Sequence, residues 1–289
     1  MSRRGPRTIS PHQPSPFLKW AGGKKALIPR ISEIVDDIGF GRYFEPFVGG
    51  GAVFFALRPE KAVLSDSNEE LINAYRQVQA HVESIIEALA NYQHQHSRDF
   101  YYRLRGERPK DPAERAAWLI YLNRTCFNGL WRVNSEGRFN VPMGSYKHPR
   151  ILDADKLRAA SLALKGTVLH CTDFETALTK MSPKPRFGDL VYFDPPYDPL
   201  SKTSNFTSYT KEDFSREDQH RLASLASKLA ERGVRVVVSD SATEFIRGLY
   251  SSAPFVTEVV QMARAISSVG SGRGRIPELL IHSATEGAR

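Results

Sequence analysis

An apolar run, GDLVYF, leads into Asp194-Pro195-Pro196-Tyr197, whose residue types suit one chemical task. A carboxylate at the carboxyl end of a strand, followed by two prolines and an aromatic, makes a rigid, extended rim. The prolines fix φ and cannot continue a strand ladder. The Asp194 carboxylate and the Pro195 carbonyl offer two acceptors to the two hydrogens of an amino group, and Tyr197 can stack on a flat ring. Such a rim holds an exocyclic amine with its lone pair aimed at an electrophile. The plainer alternative is a buried strand followed by a proline turn.

Two further groups of residues suit a nucleoside ligand. Glu45-Pro46-Phe47-Val48-Gly49-Gly50-Gly51 places glycines directly after an aromatic and β-branched run, where a ligand can approach the backbone and a helix N-terminus offers free N–H groups. Asp66 follows at the end of AVLSD and suits a bidentate contact to ribose hydroxyls. Asp66 equally suits an N-cap for the helix that begins with NEEL. This pairing supports a nucleoside cofactor without separating NAD from S-adenosylmethionine. In FLKWAGGK, residues 17–24, the glycine spacing of a phosphate-binding P-loop is missing. Aromatics beside lysines there suit stacking on an adenine or contact with carboxylate and phosphates, or simply a surface loop with a core Trp. Cys126 and Cys171 lack both disulfide-framework and metal-ligand spacing, so no metal site is expected, and the simplest compartment is reducing cytoplasm.

The elements that must position these groups follow an α/β rhythm. Strand 41–48, the glycine turn, the helix AVFFAL and the strand AVLSD form the first half of a dinucleotide-type unit. Apolar residues at helical spacing from Leu71 to Leu89 predict helix across NEELINAYRQVQAHVESIIEALANY, and 113–123 is rich in helix formers. Residues 124–150 are rich in Gly, Asn, Pro, Arg and aromatics, and suit a hairpin or loop. Afterwards a helix over 153–164, the strand TVLHCTD, the strand ending at Asp194, a helix over 215–232 and the buried strand RVVVSDS resume the rhythm. The expected fold class is therefore α/β: a doubly wound core, residues 17–75 and 150–285, split by an insertion over 76–149. A ligand in such a core sits at the carboxyl ends of the strands. Residues 1–16, rich in Pro, Ser and Arg, read as a disordered basic tail.

Charge points to a polyanion. The 289 residues carry 40 Lys and Arg against 32 Asp and Glu, a net +8. Residues 1–30 hold seven basic and no acidic side chains, and 98–150 hold eleven basic against five acidic, leaving the remainder net acidic. Such clustering suits nucleic acid, though a solvated basic face would look the same. No apolar run approaches the roughly 20 residues that span a bilayer.

FLKWAGGK (17–24), EPFVGGG (45–51), SDSN (65–68), LNRTCFNGLWRVN (122–134), GRFNVPMGSYKHP (137–149), DPPY (194–197), SNFTSY (204–209) and ISSVGSGRGRIPELL (266–280) together resemble the Dam-type, α-group S-adenosylmethionine-dependent DNA adenine N6-methyltransferases. The resemblance runs from Phe17 to about Ile281. It implies a Rossmann-like methyltransferase core with an inserted, mainly helical plus hairpin DNA-recognition domain, S-adenosylmethionine as cofactor and double-stranded DNA as partner. By that resemblance Trp20 and Lys24 line the cofactor site, Phe47 and Gly49 hold the methionine end, Asp66 the ribose, and Asp173 and Phe174 the adenine ring, next to Asp194. Asp194, Pro195, Pro196 and Tyr197 form the catalytic rim. Lys19, Arg124, Asn128, Leu130, Arg132, Asn134, Asn140 and Lys147 match positions that meet DNA, and Arg132 and Leu130 fall where bases of GATC are read. Phe127 departs from a frequent Tyr, Trp131 from a smaller residue and Ser145 from a frequent basic one, which bears on target choice and affinity. A monomeric, cytoplasmic, nucleoid-associated protein of bacterial or phage origin is expected. A nicotinamide oxidoreductase would leave the DPPY rim without a task, and a non-catalytic DNA-binding module would leave both rim and glycine turn unused.

Overall fold

A computed structural model describes residues 13–20, 22–24, 26–198, 214–263 and 275–284. SNFTSY, the first part of ISSVGSGRGRIPELL and most of the N-terminal tail lie outside these residues. Seven strands form one sheet in the order β3-β2-β1-β4-β5-β7-β6. They are β1 (Tyr43–Glu45), β2 (Ala62–Asp66), β3 (Val168–Cys171), β4 (Leu190–Phe193), β5 (Arg235–Ser241), β6 (Phe255–Ala263) and β7 (Arg275–Ser283). The first five run parallel, and β7 runs antiparallel to both β5 and β6.

Alternation along each strand feeds two cores. Tyr43, Leu64, Leu190, Tyr192 and Val237 face one, which also holds residues of α1 (Ile28–Ile38), α2 (Ala52–Leu57), α3 (Glu69–Ala80), α4 (Val82–Gln95), α5 (Arg98–Gly106), α6 (Pro112–Thr125) and α7 (Ala154–Leu164). Phe44, Val63, Val191, Phe193 and Val238 face the other, with α8 (Phe174–Thr179), α9 (Arg216–Glu231) and α10 (Glu244–Leu249). The expected doubly wound α/β fold is present. Its strand order reverses between β1 and β4, so the crevice beyond their carboxyl ends is where such a sheet takes a ligand.

Local differences from the sequence reading have physical causes. The helix expected to run through 71–89 is two helices, because His81 leaves helical geometry at φ −135°. α3 crosses residue 75, so it belongs both to the sheet side, where it packs on β3, and to the insertion, where it packs on α6. β1 stops at Glu45 because Pro46 has no N–H to give a ladder. The hairpin in 124–150 reduces to two isolated antiparallel bridges, Cys126 to Met143 and Val133 to Phe139. Between them Asn134 caps a turn with its own side chain, accepting from the backbone of Glu136 and Arg138. Among the described residues no helix is long and apolar enough to cross a membrane, and no cluster of His, Cys, Asp or Glu could hold a metal ion.

Candidate active site

Asp194 stands one residue beyond β4, and its surroundings set its charge. Lys24, 4% exposed, places Nζ 2.9 Å from Asp194 Oδ1. The Ser239 hydroxyl, from β5, donates to the same oxygen at 3.2 Å. Ser239 Oγ also lies 2.8 Å from the Tyr192 hydroxyl. Burial pushes the Asp194 carboxyl above its usual range, while Lys24 and Ser239 pull it back. Among the described residues both contacts fall on Oδ1, which leaves Oδ2 open to a donor brought to the rim. Pro195 is buried and Pro196 exposed. Lys24 Nζ also sits 4.5 Å above the Tyr197 ring centroid, a cation–π contact. The Tyr197 hydroxyl donates to Glu278 Oε2 at 2.8 Å, which fixes the ring's orientation from β7.

The glycine turn lies beside this rim. Gly49 adopts φ +47°, in the left-handed region. A Cβ there would stand 3.0 Å from Trp20 Cδ1, so the indole is packed directly on the turn. Asp66 ties turn and strand together: Oδ2 accepts from Gly49 N–H at 3.1 Å and Oδ1 from Asn68 N–H at 3.0 Å. Burial raises the Asp66 carboxyl, and these amides oppose the rise. The helix N-cap anticipated for Asp66 is instead Asn68, which accepts from Leu71 N–H at 3.0 Å. Beneath the turn the Glu45 carboxyl is sealed, accepting from the Tyr43 hydroxyl at 2.9 Å, and burial pushes it well above the carboxylate range. Phe47 stacks on Phe174 with centroids 5.4 Å apart. Asp173 caps α8 through Oδ1, which accepts from Glu175 and Thr176 N–H. Three sets of contacts thus stand at the carboxyl ends of the parallel strands: Lys24 with Asp194 and Tyr197, Gly49 with Trp20 and Asp66, and Phe47 with Phe174, beside the Asp173 cap.

The DNA-facing candidates fall into two groups. Lys19, Asn128, Arg132 and Lys147 are exposed, and Leu130, Asn134 and Asn140 half-buried, on or beside the insertion. Arg132 is pre-oriented by Nε donating to Asn140 Oδ1 at 2.7 Å. Lys19 Nζ lies 4.6 Å from the Tyr146 ring centroid. Arg124 differs: it is half-buried and donates to the Phe17 carbonyl at 2.7 Å, so its guanidinium already ties the insertion to segment 17–24. Trp20 and Trp131 stack with centroids 6.4 Å apart, joining the insertion to the glycine turn. Sequence reasoning gave no role to Ser239, Glu278, Tyr192 or Tyr146. Ser239, Glu278 and Tyr146 reach the site from strands and loops distant in sequence, and Tyr192, on β4 itself, reads as one more buried residue of its strand.

A doubly wound sheet with an acidic, proline-stiffened rim beside a glycine turn and a second buried acid, all at the switch point, is an arrangement found where such sheets take a ligand. Residues 20–266 match the family described as D12 class N6 adenine-specific DNA methyltransferase. Type II methyltransferase M1.LlaDCHI of Lactococcus lactis subsp. cremoris is 43% identical over 274 residues, covering 92% of this chain and 94% of that protein. Type II methyltransferase M.MjaIII of Methanocaldococcus jannaschii is 41% identical over 288 residues, covering 92% and 98%. The DNA adenine methylase of Escherichia coli (strain K12) is 36% identical over 269 residues, covering 91% and 93%. The chain belongs to the D12 class of N6 adenine-specific DNA methyltransferases. It is accordingly an adenine-specific DNA methyltransferase.

Proposed function

We propose that the chain methylates N6 of an adenine flipped out of double-stranded DNA, with S-adenosylmethionine as donor and GATC as target. The observation that carries this reading is the Asp194 carboxylate at the switch point of the sheet, with Lys24 and Ser239 both on Oδ1. The donor fits the residues present. The Gly49 turn leaves no room for a side chain, and the Asp66 carboxylate keeps lone-pair capacity for a ribose hydroxyl beyond its backbone bonds. Asp173 Oδ1 is taken by the α8 cap, which leaves Oδ2 for a ring amine. S-adenosylmethionine supplies an electrophilic sulfonium methyl.

The chain's own residues do the rest. Adenine N6 is a poor nucleophile because its lone pair is delocalised into the ring. Asp194 Oδ2 and the Pro195 carbonyl accept its two hydrogens, which favours sp³ character and localises the lone pair. Lys24 holds Asp194 in the acceptor form that this needs. Extruding the base costs a few kcal/mol, and stacking on Tyr197, about 1–3 kcal/mol by analogy with single-strand binding, offsets much of it. Arg132, oriented by Asn140, suits a bidentate contact to a guanine edge worth about 1–3 kcal/mol of discrimination. Leu130 and Lys19 read beside it, and Asn128, Asn134 and Lys147 meet the duplex around them, while Arg124 braces the insertion.

Residues 17–75 and 150–285 form the catalytic core in this reading, and 76–149 the recognition unit. The protein, bacterial or phage-encoded, acts as a monomer in the cytoplasm at the nucleoid. Single-molecule sequencing of DNA treated with the purified protein reports methylated base, position and flanking sequence together. N6-methyladenine within GATC is the expected result. Methylation at another sequence removes the target assignment, and methylation of cytosine N4 removes the base assignment.

A further inference from the structure

Asn123, in α6, is 2% exposed, and its carboxamide makes three hydrogen bonds. Oδ1 accepts from Lys19 N–H at 2.7 Å, and Nδ2 donates to the Lys19 carbonyl at 2.7 Å and to the Gly129 carbonyl at 3.0 Å. One side chain thus gives Lys19 the donor and acceptor that a neighbouring strand would otherwise provide, and uses its second hydrogen to hold the 127–130 turn. The turn itself presses on Lys19. Gly129 has φ +66°, and a Cβ there would stand 2.8 Å from both Cβ and Cδ of Lys19. With Nζ over Tyr146, the backbone, stem and head of Lys19 are all held by the insertion. Trp20, the next residue, stacks on Trp131 and lies on the Gly49 turn, and Lys24 of the same segment meets Asp194.

We propose that Asn123 is a positioning residue for target reading, locking Lys19 and the 127–130 turn into one unit kept in register with the catalytic rim. This rests on the reading of Lys19, Leu130 and Arg132 as base readers. Those residues come from chain segments about a hundred positions apart, yet they must present their groups to adjacent base edges at one fixed spacing. A misplacement of about 1 Å remote from the chemistry can cost about 10²-fold in rate, so a rigid junction has a function beyond stability.

The test compares kcat/KM on the target duplex identified by sequencing with kcat/KM on duplexes carrying single base changes. Cofactor Kd and melting temperature are measured alongside. Asn123→Asp keeps the acceptor for Lys19 N–H but turns an oxygen toward two carbonyls. Gly129→Ala disturbs the same junction without burying a new charge, and so serves if Asn123→Asp does not fold. The expected result is a fall of about tenfold or more in target discrimination, carried by kcat on the target, with cofactor Kd unchanged. Folded variants that lose activity equally on every duplex, or that keep wild-type discrimination, overturn the proposal. Arg132→Ala separates the two levels. If it too leaves the target profile unaltered, the reading of the insertion falls, and the role of Asn123 with it.

Discussion

Replacing Lys24 by Met removes the cation 2.9 Å from Asp194 while keeping much of the side chain's volume. At that distance the gross attraction is about 6 kcal/mol for an effective dielectric constant of about 20. Breaking a buried pair by deleting one partner typically costs about 3–5 kcal/mol, because the remaining charge is left uncompensated. Asp194 is 20% exposed on its side chain, so little of this is screened. Burial already raises the Asp194 carboxyl, and Lys24 is the largest influence opposing that rise. Without Lys24 the carboxyl keeps its proton to higher pH, and a protonated Asp194 is a poorer acceptor for the adenine amine. One pH unit corresponds to about 1.4 kcal/mol. The activity profile of Lys24→Met should therefore move alkaline by about two to three and a half units, whereas Lys24→Arg should stay near wild type. Single-turnover methyl transfer at saturating S-adenosylmethionine and DNA, followed from about pH 5.5 to 9.5, reads the ionisation in the bound complex. A Lys24→Met enzyme slowed by one constant factor at every pH would refute the account.

Asp194→Ala should abolish methyl transfer while leaving cofactor binding measurable by calorimetry, and wild-type turnover would remove the rim from the mechanism. Lys147→Ala should weaken binding to all duplexes alike and flatten the slope of log K against log salt by about one, and an unchanged slope would show that it meets no phosphate. Tyr197→Phe, which loses the bond to Glu278 but keeps the ring, should lower kcat far less than Tyr197→Ala, as single-turnover assays would show. Asp240 is fully buried, and burial pushes its carboxyl up to about 7. The folded state thus binds this proton more tightly than the unfolded chain, so the stability it contributes is fully present below about pH 4 and is lost as pH rises from there through about 7. Asp240→Asn should gain on wild type across that window, by up to about 4 kcal/mol at pH 8. Urea unfolding at pH 5 and pH 8 measures the gain, and a pH-independent difference would sink the argument.

The parts of this site visible in the sequence are those written locally. GDLVYF is a buried parallel strand, so its apolar run is continuous, and the acid and prolines that end it mark the rim. The glycine turn and Asp66 sit within one strand–helix–strand unit and show the same economy. What was not legible depends on strands that return from far along the chain. Ser239 reaches Asp194 across 45 residues and Glu278 reaches Tyr197 across 81, and neither carries a local signature. The lysines of FLKWAGGK stood out, but only the fold shows that Lys24 turns inward to Asp194 while Lys19 points to the insertion. α5 leaves little trace in the sequence because RDFYYRLRG mixes aromatics and charges without a clean apolar stripe, and its helix is held by Ser97 as N-cap and by packing on α6. Arg124 reads as a DNA contact from its motif, yet its bond to the Phe17 carbonyl is a tertiary event.

The distribution of charge makes sense once the site is built. Asp66, Asp194 and Glu278 gather at the carboxyl ends of the parallel strands, an arrangement that disfavours a phosphate backbone. The basic excess lies elsewhere, in the residues before α1 and in the insertion. In the proposed reading, a duplex drawn in by that excess meets the protein along segment 17–24 and the 124–150 loop, with its phosphates kept from the acidic crevice. Only a base, which is neutral and carries donor hydrogens, gains by entering it. Long-range attraction and the acceptors at the rim therefore act on different parts of the same substrate, and Lys24 is where they meet. It belongs by sequence to the basic segment and by position to the carboxylate that does the holding.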